Sequence, residues 1–195
     1  MPRIQFVAAV LLTATMLAGC RKPEETPAPA TPVSTAPAPA VAVVQEPAEP
    51  KPAAASQESP ALSVPTIDGK TYDLAAHRGK WVVVNFWATW CAPCLKEMPE
   101  LSALDAMREH IEVVGLAYEE IDAAAMRDFL KVHPVVYPIA IIDTFNPPAD
   151  FDTPRGLPMT YLIAPDGKVA KKILGPVTAQ DLEAAIALAG GPKAG

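Results

Sequence analysis

Cysteine and histidine are scarce in this sequence of 195 residues, which contains three of each. The histidines, His77, His110 and His133, are scattered along the chain. A structural zinc site needs four ligands, and Cys91 and Cys94 have no second pair of ligands to complete one. We therefore predict no metal cofactor. One metal alternative stays open, because two thiolates are soft ligands that suit Cu(I).

Clusters of basic residues and apolar runs of membrane-spanning length are also lacking. The chain has 16 Lys and Arg against 22 Asp and Glu, a formal net charge of −6, and no block of basic residues. Nucleic-acid binding is therefore not expected. The uncharged stretch Ile4 to Gly19 falls short of the roughly 20 apolar residues that a transmembrane helix needs.

Residues 23–60 contain no glycine, no aromatic residue and no cysteine, but they contain ten prolines and ten alanines. Such a segment has little apolar surface to bury, so burial cannot offset the entropy cost of ordering it. The composition predicts a solvated spacer between the N-terminus and a folded domain.

The N-terminus has the form of a secretory signal, because Arg3 precedes a largely apolar stretch and small residues precede Cys20. The residues LAGC at positions 17–20 resemble the lipobox of bacterial lipoproteins. That resemblance implies cleavage before Cys20 and a lipid on its sulfur, which would hold the chain on a membrane. The alternative is an ordinary cleaved signal peptide with an incidental Cys20. We expect a lipoprotein signal peptide at 1–19, a lipid-anchored Pro/Ala-rich linker at 20–60 and a folded domain at 61–190.

Hydrophobic periodicity divides the domain into strands and helices. The run Trp81 to Trp87, WVVVNFW, is typical of a strand buried on both faces. The other predicted strands are Ala61 to Ile67, Thr71 to Leu74, Ile111 to Ala117, Ile139 to Ile142, Met159 to Ala164 and Val169 to Leu174. Helices are predicted from about Ala92 to Glu109, from Asp122 to Val132, and from a cap at Thr178 to about Leu188. This order predicts an α/β fold whose sheet has a parallel core and an antiparallel edge.

Cys91 and Cys94 lie where the buried strand passes into a helix. Unpaired N–H groups and the macrodipole at a helix N-terminus favour an anion, and so the thiolate of Cys91. Cys94 is one turn further on the same face, within disulfide reach, and Pro93 fits the first helical turn. The pair can attack a disulfide through Cys91 and resolve the mixed disulfide through Cys94. A structural disulfide, copper binding and an inert binding module stay open as alternatives.

Two segments resemble a known family. Residues 85–99, NFWATWCAPCLKEMP, resemble the active-site segment of TlpA/ResA-like proteins of the thioredoxin family. Residues 156–163, GLPMTYLI, resemble the loop that carries the family's cis-proline, here Pro158. The resemblance covers roughly residues 61–188. It implies a thioredoxin-like fold with a central mixed sheet flanked by helices, preceded here by a disordered N-terminal arm.

The resemblance also implies roles for individual residues. Pro158 would face the disulfide, and the backbone of Leu157 would pair with a substrate chain. Apart from the resemblance, we expect Trp90 and Pro93 to contact the substrate, and the alternative for Trp90 is that it fills the core. Glu97 would accept a proton from the resolving thiol or modulate its acidity. The alternative for Glu97 is an acidic residue that merely suits the first turn of a helix.

Two features depart from the family's pattern. Asn85 stands where thioredoxin proper has a buried aspartate, and an amide cannot carry a proton, so that task would pass to Glu97. Residues 143–155 contain three prolines, which favour an irregular loop over a helix. This loop would shape substrate choice. Its acidic residues, Asp143, Asp150 and Asp152, are expected to be solvated, and a metal site is the alternative for them. Within the helix after Cys91, Pro99 predicts a kink.

Together these features predict a membrane-tethered protein-disulfide reductase of the cell envelope, with its catalytic domain in the periplasm or another extracytoplasmic space. Its redox group would be the Cys91–Cys94 disulfide. The intervening Ala92-Pro93 lacks a histidine, which favours a reductant near the thioredoxin potential of about −270 mV over a strong oxidant at about −120 mV. The expected partners are oxidised envelope proteins such as apocytochrome c, as the resemblance suggests, and a transmembrane electron-delivering reductase. The alternatives are a Cu(I)-handling thiol protein and a dithiol oxidant or isomerase.

Overall fold

The computed structural model describes residues 58–192. The strands are β1 Ser63–Pro65, β2 Thr71–Asp73, β3 Trp81–Trp87, β4 Ile111–Tyr118, β5 Ile139–Ile142, β6 Met159–Ile163 and β7 Val169–Leu174. The helices are α1 Ala92–Met107, α2 Ala123–Val132 and α3 Ala179–Leu188, and a short 3-10 helix, Leu74–His77, follows β2. Across the described range no helix is both long and apolar enough to cross a bilayer. The predicted signal peptide, Cys20 and nearly all of the predicted linker lie outside this range.

The central sheet is mixed. Five strands lie in the order β5-β4-β3-β6-β7. β3, β4 and β5 are parallel to one another, β6 is antiparallel to β3, and β7 is antiparallel to β6. β1 and β2 form a separate hairpin, which joins the β5 edge through a hydrogen bond from Ile67 N to Ile139 O at 2.9 Å. The predicted parallel core and antiparallel edge are therefore confirmed.

β3 lies in the middle of the sheet, and all seven of its residues are buried. Successive side chains of a strand point to opposite faces of the sheet. Accordingly Val83 and Trp87 belong to a buried cluster that contains residues of all three helices, as well as Cys91 and Cys94. Val82 belongs to a second cluster, with residues of the β1–β2 hairpin. Burial on both faces explains the nearly continuous apolar run in the sequence of β3.

The helix after the cysteines begins at Ala92, as predicted, but it ends at Met107 rather than Glu109. Arg108 caps the helix with an extended backbone, φ −121° and ψ 99°, because the chain must turn there to enter β4. Asp122, predicted as the first residue of the next helix, is instead its N-cap, and its side chain accepts hydrogen bonds from the first turn of α2.

Residues 143–155 form an irregular loop, as predicted. The carboxylate of Asp150 accepts a hydrogen bond from Ala61 N at 3.0 Å, near the start of the described range. Asp152 forms an ion pair with Lys172 of the edge strand β7. These contacts attach the loop to two other parts of the domain.

Candidate active site

The candidate site is centred on the Cys91–Cys94 disulfide, whose Cα atoms are 5.2 Å apart. β3 ends at Trp87, a short loop follows, and Cys91 is the N-cap residue of α1. Cys94 N donates a hydrogen bond to Cys91 Sγ at 3.3 Å. Cys91 is 4% exposed and Cys94 is completely buried. Cys91 is therefore the sulfur that a partner reaches first, and it lies where the helix N-terminus can stabilise a thiolate.

The second predicted motif reaches the same edge of the sheet. β6 begins at Met159, which pairs with Phe86 near the end of β3. Pro158 precedes β6 and so lies at the edge from which the chain runs into Cys91. The peptide bond between Leu157 and Pro158 is cis, as the resemblance implied. Leu157 packs against the cluster that contains both cysteines. The fold thus brings the two motifs together, and the role of Pro158 toward a substrate stays a prediction.

A cleft of about 420 Å³ has Trp90 and Leu157 among its lining residues. The other lining residues come from the end of β4 and from the loop before β6: Tyr118, Glu119, Glu120, Thr144, Pro154, Arg155 and Gly156. Trp90 is 70% exposed, whereas Trp87 is completely buried in the core. Pro93 is exposed on the first turn of α1 but does not line this cleft. The structure therefore places Trp90 and Leu157 in the lining of one cleft, and Pro93 is not part of that lining.

Glu97 is a buried carboxylate on the same helix as the disulfide, with 3% of its surface exposed. It accepts hydrogen bonds from Asn85 Nδ2 at 2.8 Å and from Val177 N at 2.9 Å. The pKa of Glu97 is raised, chiefly by burial and to a smaller extent by the charge of Glu100. The hydrogen bonds from Val177 and Asn85 lower this pKa, but they do not cancel the effect of burial. Both donors are neutral, so neither supplies a positive charge that would hold Glu97 ionised. A carboxyl group in this state suits proton exchange.

The sequence did not indicate these partners of Glu97. In the sequence, Asn85 is only a departure from the family's pattern, whereas in the structure it also donates to Thr160 Oγ1 at 3.1 Å, across the β3–β6 pair. A polar residue inside the apolar run of β3 was the available signal, because a buried amide needs hydrogen-bond partners. Val177 donates through its backbone from 80 positions away, and its sequence carries no such signal.

A second carboxylate at the site, which no motif in the sequence indicates, is that of Glu119, the residue directly after β4. It accepts hydrogen bonds from Thr89 N at 2.6 Å and from Thr89 Oγ1 at 2.9 Å. β3 and β4 are parallel, and Trp87 lies opposite Ala117 at their ends. Residues 89 and 119 are therefore each two positions beyond that pair, which brings the acidic residue to the loop before Cys91.

Comparisons with known proteins agree with this geometry. Residues 55–172 match the AhpC/TSA family. A thiol-disulfide oxidoreductase ResA of Bacillus cereus is 36% identical over 129 residues, which is 65% of this chain and 73% of ResA. ResA of Bacillus subtilis (strain 168) is 33% identical over 123 residues, 62% of this chain and 68% of ResA. The crystal structure of a thiol:disulfide interchange protein of the thioredoxin family from Chlorobium tepidum TLS superposes with a TM-score of 0.60 at 28% identity, covering 69% of this chain and 96% of that one.

Proposed function

We propose, since the chain belongs to the AhpC/TSA family and is a thiol-disulfide oxidoreductase of the ResA type, that it reduces disulfides of envelope proteins through Cys91 and Cys94. The observation that carries this proposal is the position of the Cys91–Cys94 disulfide at the N-terminus of α1, directly after the exposed Trp90. A thiolate formed there is stabilised by the helix and lies next to a surface that a protein can contact.

The reaction begins from the reduced dithiol. The Cys91 thiolate attacks one sulfur of the substrate disulfide, whose S–S bond breaks as the other sulfur leaves with the electron pair and takes up a proton. Cys94 then loses its proton and attacks Cys91 Sγ in the mixed disulfide. The second substrate sulfur leaves as a thiolate and is protonated. Two electrons have passed to the substrate, and the Cys91–Cys94 disulfide described here is the product state.

Glu97 is the proposed acceptor for the proton of Cys94. Both residues lie on the buried side of α1, within one turn of each other. The raised pKa of Glu97, caused chiefly by burial, brings the carboxyl group closer to the acidity of a thiol than an exposed glutamate would be. Asn85 and Val177 N hold the carboxylate in place without neutralising it.

The direction of electron flow follows from the residues between the cysteines. Ala92 and Pro93 add no positive charge to stabilise the thiolates, which favours a reducing couple. A reductant outside the cytoplasm must be reduced again after each turnover, so a transmembrane electron-delivering reductase is the proposed donor. Oxidised envelope proteins such as apocytochrome c are the proposed substrates. In the same proposal, a lipid on Cys20 tethers the domain on the outer side of a membrane.

The proposed chemistry is tested by replacing Cys91 and Cys94 one at a time in the full chain. The Cys91→Ser protein should not reduce insulin disulfides above background, because the attacking sulfur is missing. The Cys94→Ser protein should instead accumulate a mixed disulfide with insulin that dithiothreitol releases. Insulin reduction by the Cys91→Ser protein at the unmodified rate would contradict the proposal.

The direction is tested by the reduction potential of the Cys91–Cys94 couple, titrated against dithiol buffers and read by thiol alkylation. A potential of roughly −250 mV or lower supports a reductase. A potential above roughly −180 mV indicates an oxidant or isomerase instead. Tight retention of Cu(I) by the reduced protein, together with slow insulin reduction, would favour the copper-handling alternative.

A further inference from the structure

The loop between β3 and the disulfide is held by a side chain from another strand. Residues 88–90 connect Trp87, the end of β3, to Cys91. The carboxylate of Glu119 accepts both polar hydrogens of Thr89, with Oε1 2.6 Å from the backbone nitrogen and Oε2 2.9 Å from the hydroxyl oxygen. Thirty positions separate the two residues along the chain.

This contact replaces a missing backbone interaction. The β3–β4 ladder ends at the pair Trp87 and Ala117, so Thr89 lies beyond the last pair of strand residues. Its backbone N–H would otherwise need another acceptor, because an unmade hydrogen bond of a part-buried group is costly. A carboxylate is a stronger acceptor than a carbonyl, so Glu119 holds Thr89 more firmly than the ladder would.

The neighbour that gains most from this contact is Trp90. Trp90 is 70% exposed, so packing alone does not immobilise its ring, and it lines the same cleft as Glu119 and Leu157. Holding Thr89 restricts the backbone on the N-terminal side of Trp90, while Cys91 N donates to Ala88 O at 3.1 Å on the other side of the loop. The backbone that carries the indole is thereby held on both sides, directly before the reactive sulfur.

We propose that Glu119 is a positioning residue for protein substrates, which acts through Thr89 to hold Trp90 as a fixed wall of the cleft beside Cys91. The inference rests on the proposed function, because it assigns the cleft to the substrate polypeptide. Glu119 acts here through its two hydrogen bonds to Thr89 and not by attracting a charged group of the substrate. A glutamine can make the same two contacts, since its Oε1 accepts from Thr89 N and its Nε2 donates to Thr89 Oγ1.

The experiment measures KM and kcat for insulin reduction by the full chain, and the rate at which the reduced protein reacts with the small disulfide 5,5′-dithiobis(2-nitrobenzoate). The Glu119→Ala protein should show KM for insulin raised about fivefold, the size expected for lost charge-assisted hydrogen bonds. Its kcat and its reaction with the small disulfide should stay within about twofold of the unmodified protein, because the sulfur chemistry is untouched. The Glu119→Gln protein should restore most of the affinity.

Two further variants keep the test decisive. Thr89→Val removes only the hydroxyl contact, so the single variant should raise KM for insulin by about twofold. When Glu119→Ala is already present, adding Thr89→Val should not raise KM further, because the two residues act as a unit. It also serves if Glu119→Ala does not fold. The matched control is Asp128→Ala, which removes an exposed carboxylate of α2 that pairs with Lys131 and should leave KM unchanged.

The outcomes separate the inference from the proposed function. An unmodified chain that fails to reduce insulin overturns the proposed function and this inference with it. An active unmodified chain, with KM unchanged in Glu119→Ala, overturns only the inference. A Glu119→Gln protein as impaired as Glu119→Ala also overturns it, because charge and not hydrogen bonding would then be responsible.

Discussion

Two glutamates, Glu97 on α1 and Glu112 on β4, show how their neighbours decide what a carboxylate does. Glu97 lies behind the disulfide and accepts hydrogen bonds from the neutral donors Asn85 Nδ2 and Val177 N. Glu112 lies near the start of β4, where it contacts the side chains of Lys80 and His77. Both carboxylates are at least partly shielded from water, so burial acts in the same direction on both.

Their acidities nevertheless shift in opposite directions. Burial raises the pKa of Glu97, and its neutral donors do not cancel that effect. Burial also opposes ionisation of Glu112, but the hydrogen bonds and charges of Lys80 and His77 outweigh it and lower the pKa of Glu112. A carboxylate beside a lysine, such as Glu112 beside Lys80, stays ionised and supports the fold. One held only by neutral donors stays available for proton transfer, which is the role proposed for Glu97 toward Cys94.

The largest expected difference between the two is in catalysis. Glu97→Gln should lower kcat for insulin reduction by roughly 100-fold, because a positioned proton acceptor contributes at least that much. The steady-state level of mixed disulfide should rise at the same time. The matched variant Glu112→Gln should keep kcat within about twofold. Equal losses in the two variants would show that Glu97 has no special catalytic role.

A smaller difference of the opposite kind is expected in stability at neutral pH. Glu112→Gln should lower the free energy of unfolding by about 1 kcal/mol, because it leaves Lys80 and His77 without their partly buried partner. The control is Asp128→Asn, which breaks an exposed ion pair with Lys131 and should change stability by less than about 0.5 kcal/mol. Urea unfolding of the oxidised protein measures both. If the two variants were equally stable, the Glu112 cluster would not differ from an ordinary surface pair.

The smallest effect, and the sharpest test of the comparison, is the pH dependence. Because the pKa of Glu97 is raised, the native state binds its proton more tightly, so stability relative to Glu97→Gln should fall as pH rises from the ordinary value of 4.5 through the folded pKa. The pKa of Glu112 is lowered, so stability relative to Glu112→Gln should fall as pH falls from 4.5 through its folded pKa. The free energy of unfolding relative to the matching Gln variant, plotted against pH, should therefore have a negative slope above pH 4.5 for Glu97 and a positive slope below pH 4.5 for Glu112. Slopes of the same sign would refute the assignment.

Much of the fold could be predicted because its signals are local. The bounds of β3 and β5 follow from apolar runs, and the start of the helix after Cys91 follows from its N-cap position. Helix ends depend on tertiary packing, since Arg108 leaves α1 only because β4 must begin beside β3. The position of Pro158 was accessible only through the resemblance, because no periodic pattern relates it to the cysteines.

What the sequence by itself determined is the chemistry of short spacings: a thiol pair one turn apart at a helix start, a glutamate on the same helix, and strands buried on both faces. These follow from the fixed geometry of helix and strand. Only the tertiary structure decided that Asn85 and Val177 hold Glu97, and that Glu119 holds Thr89. Such contacts depend on strand order and register, which arise from the packing of the whole sheet and not from any local pattern.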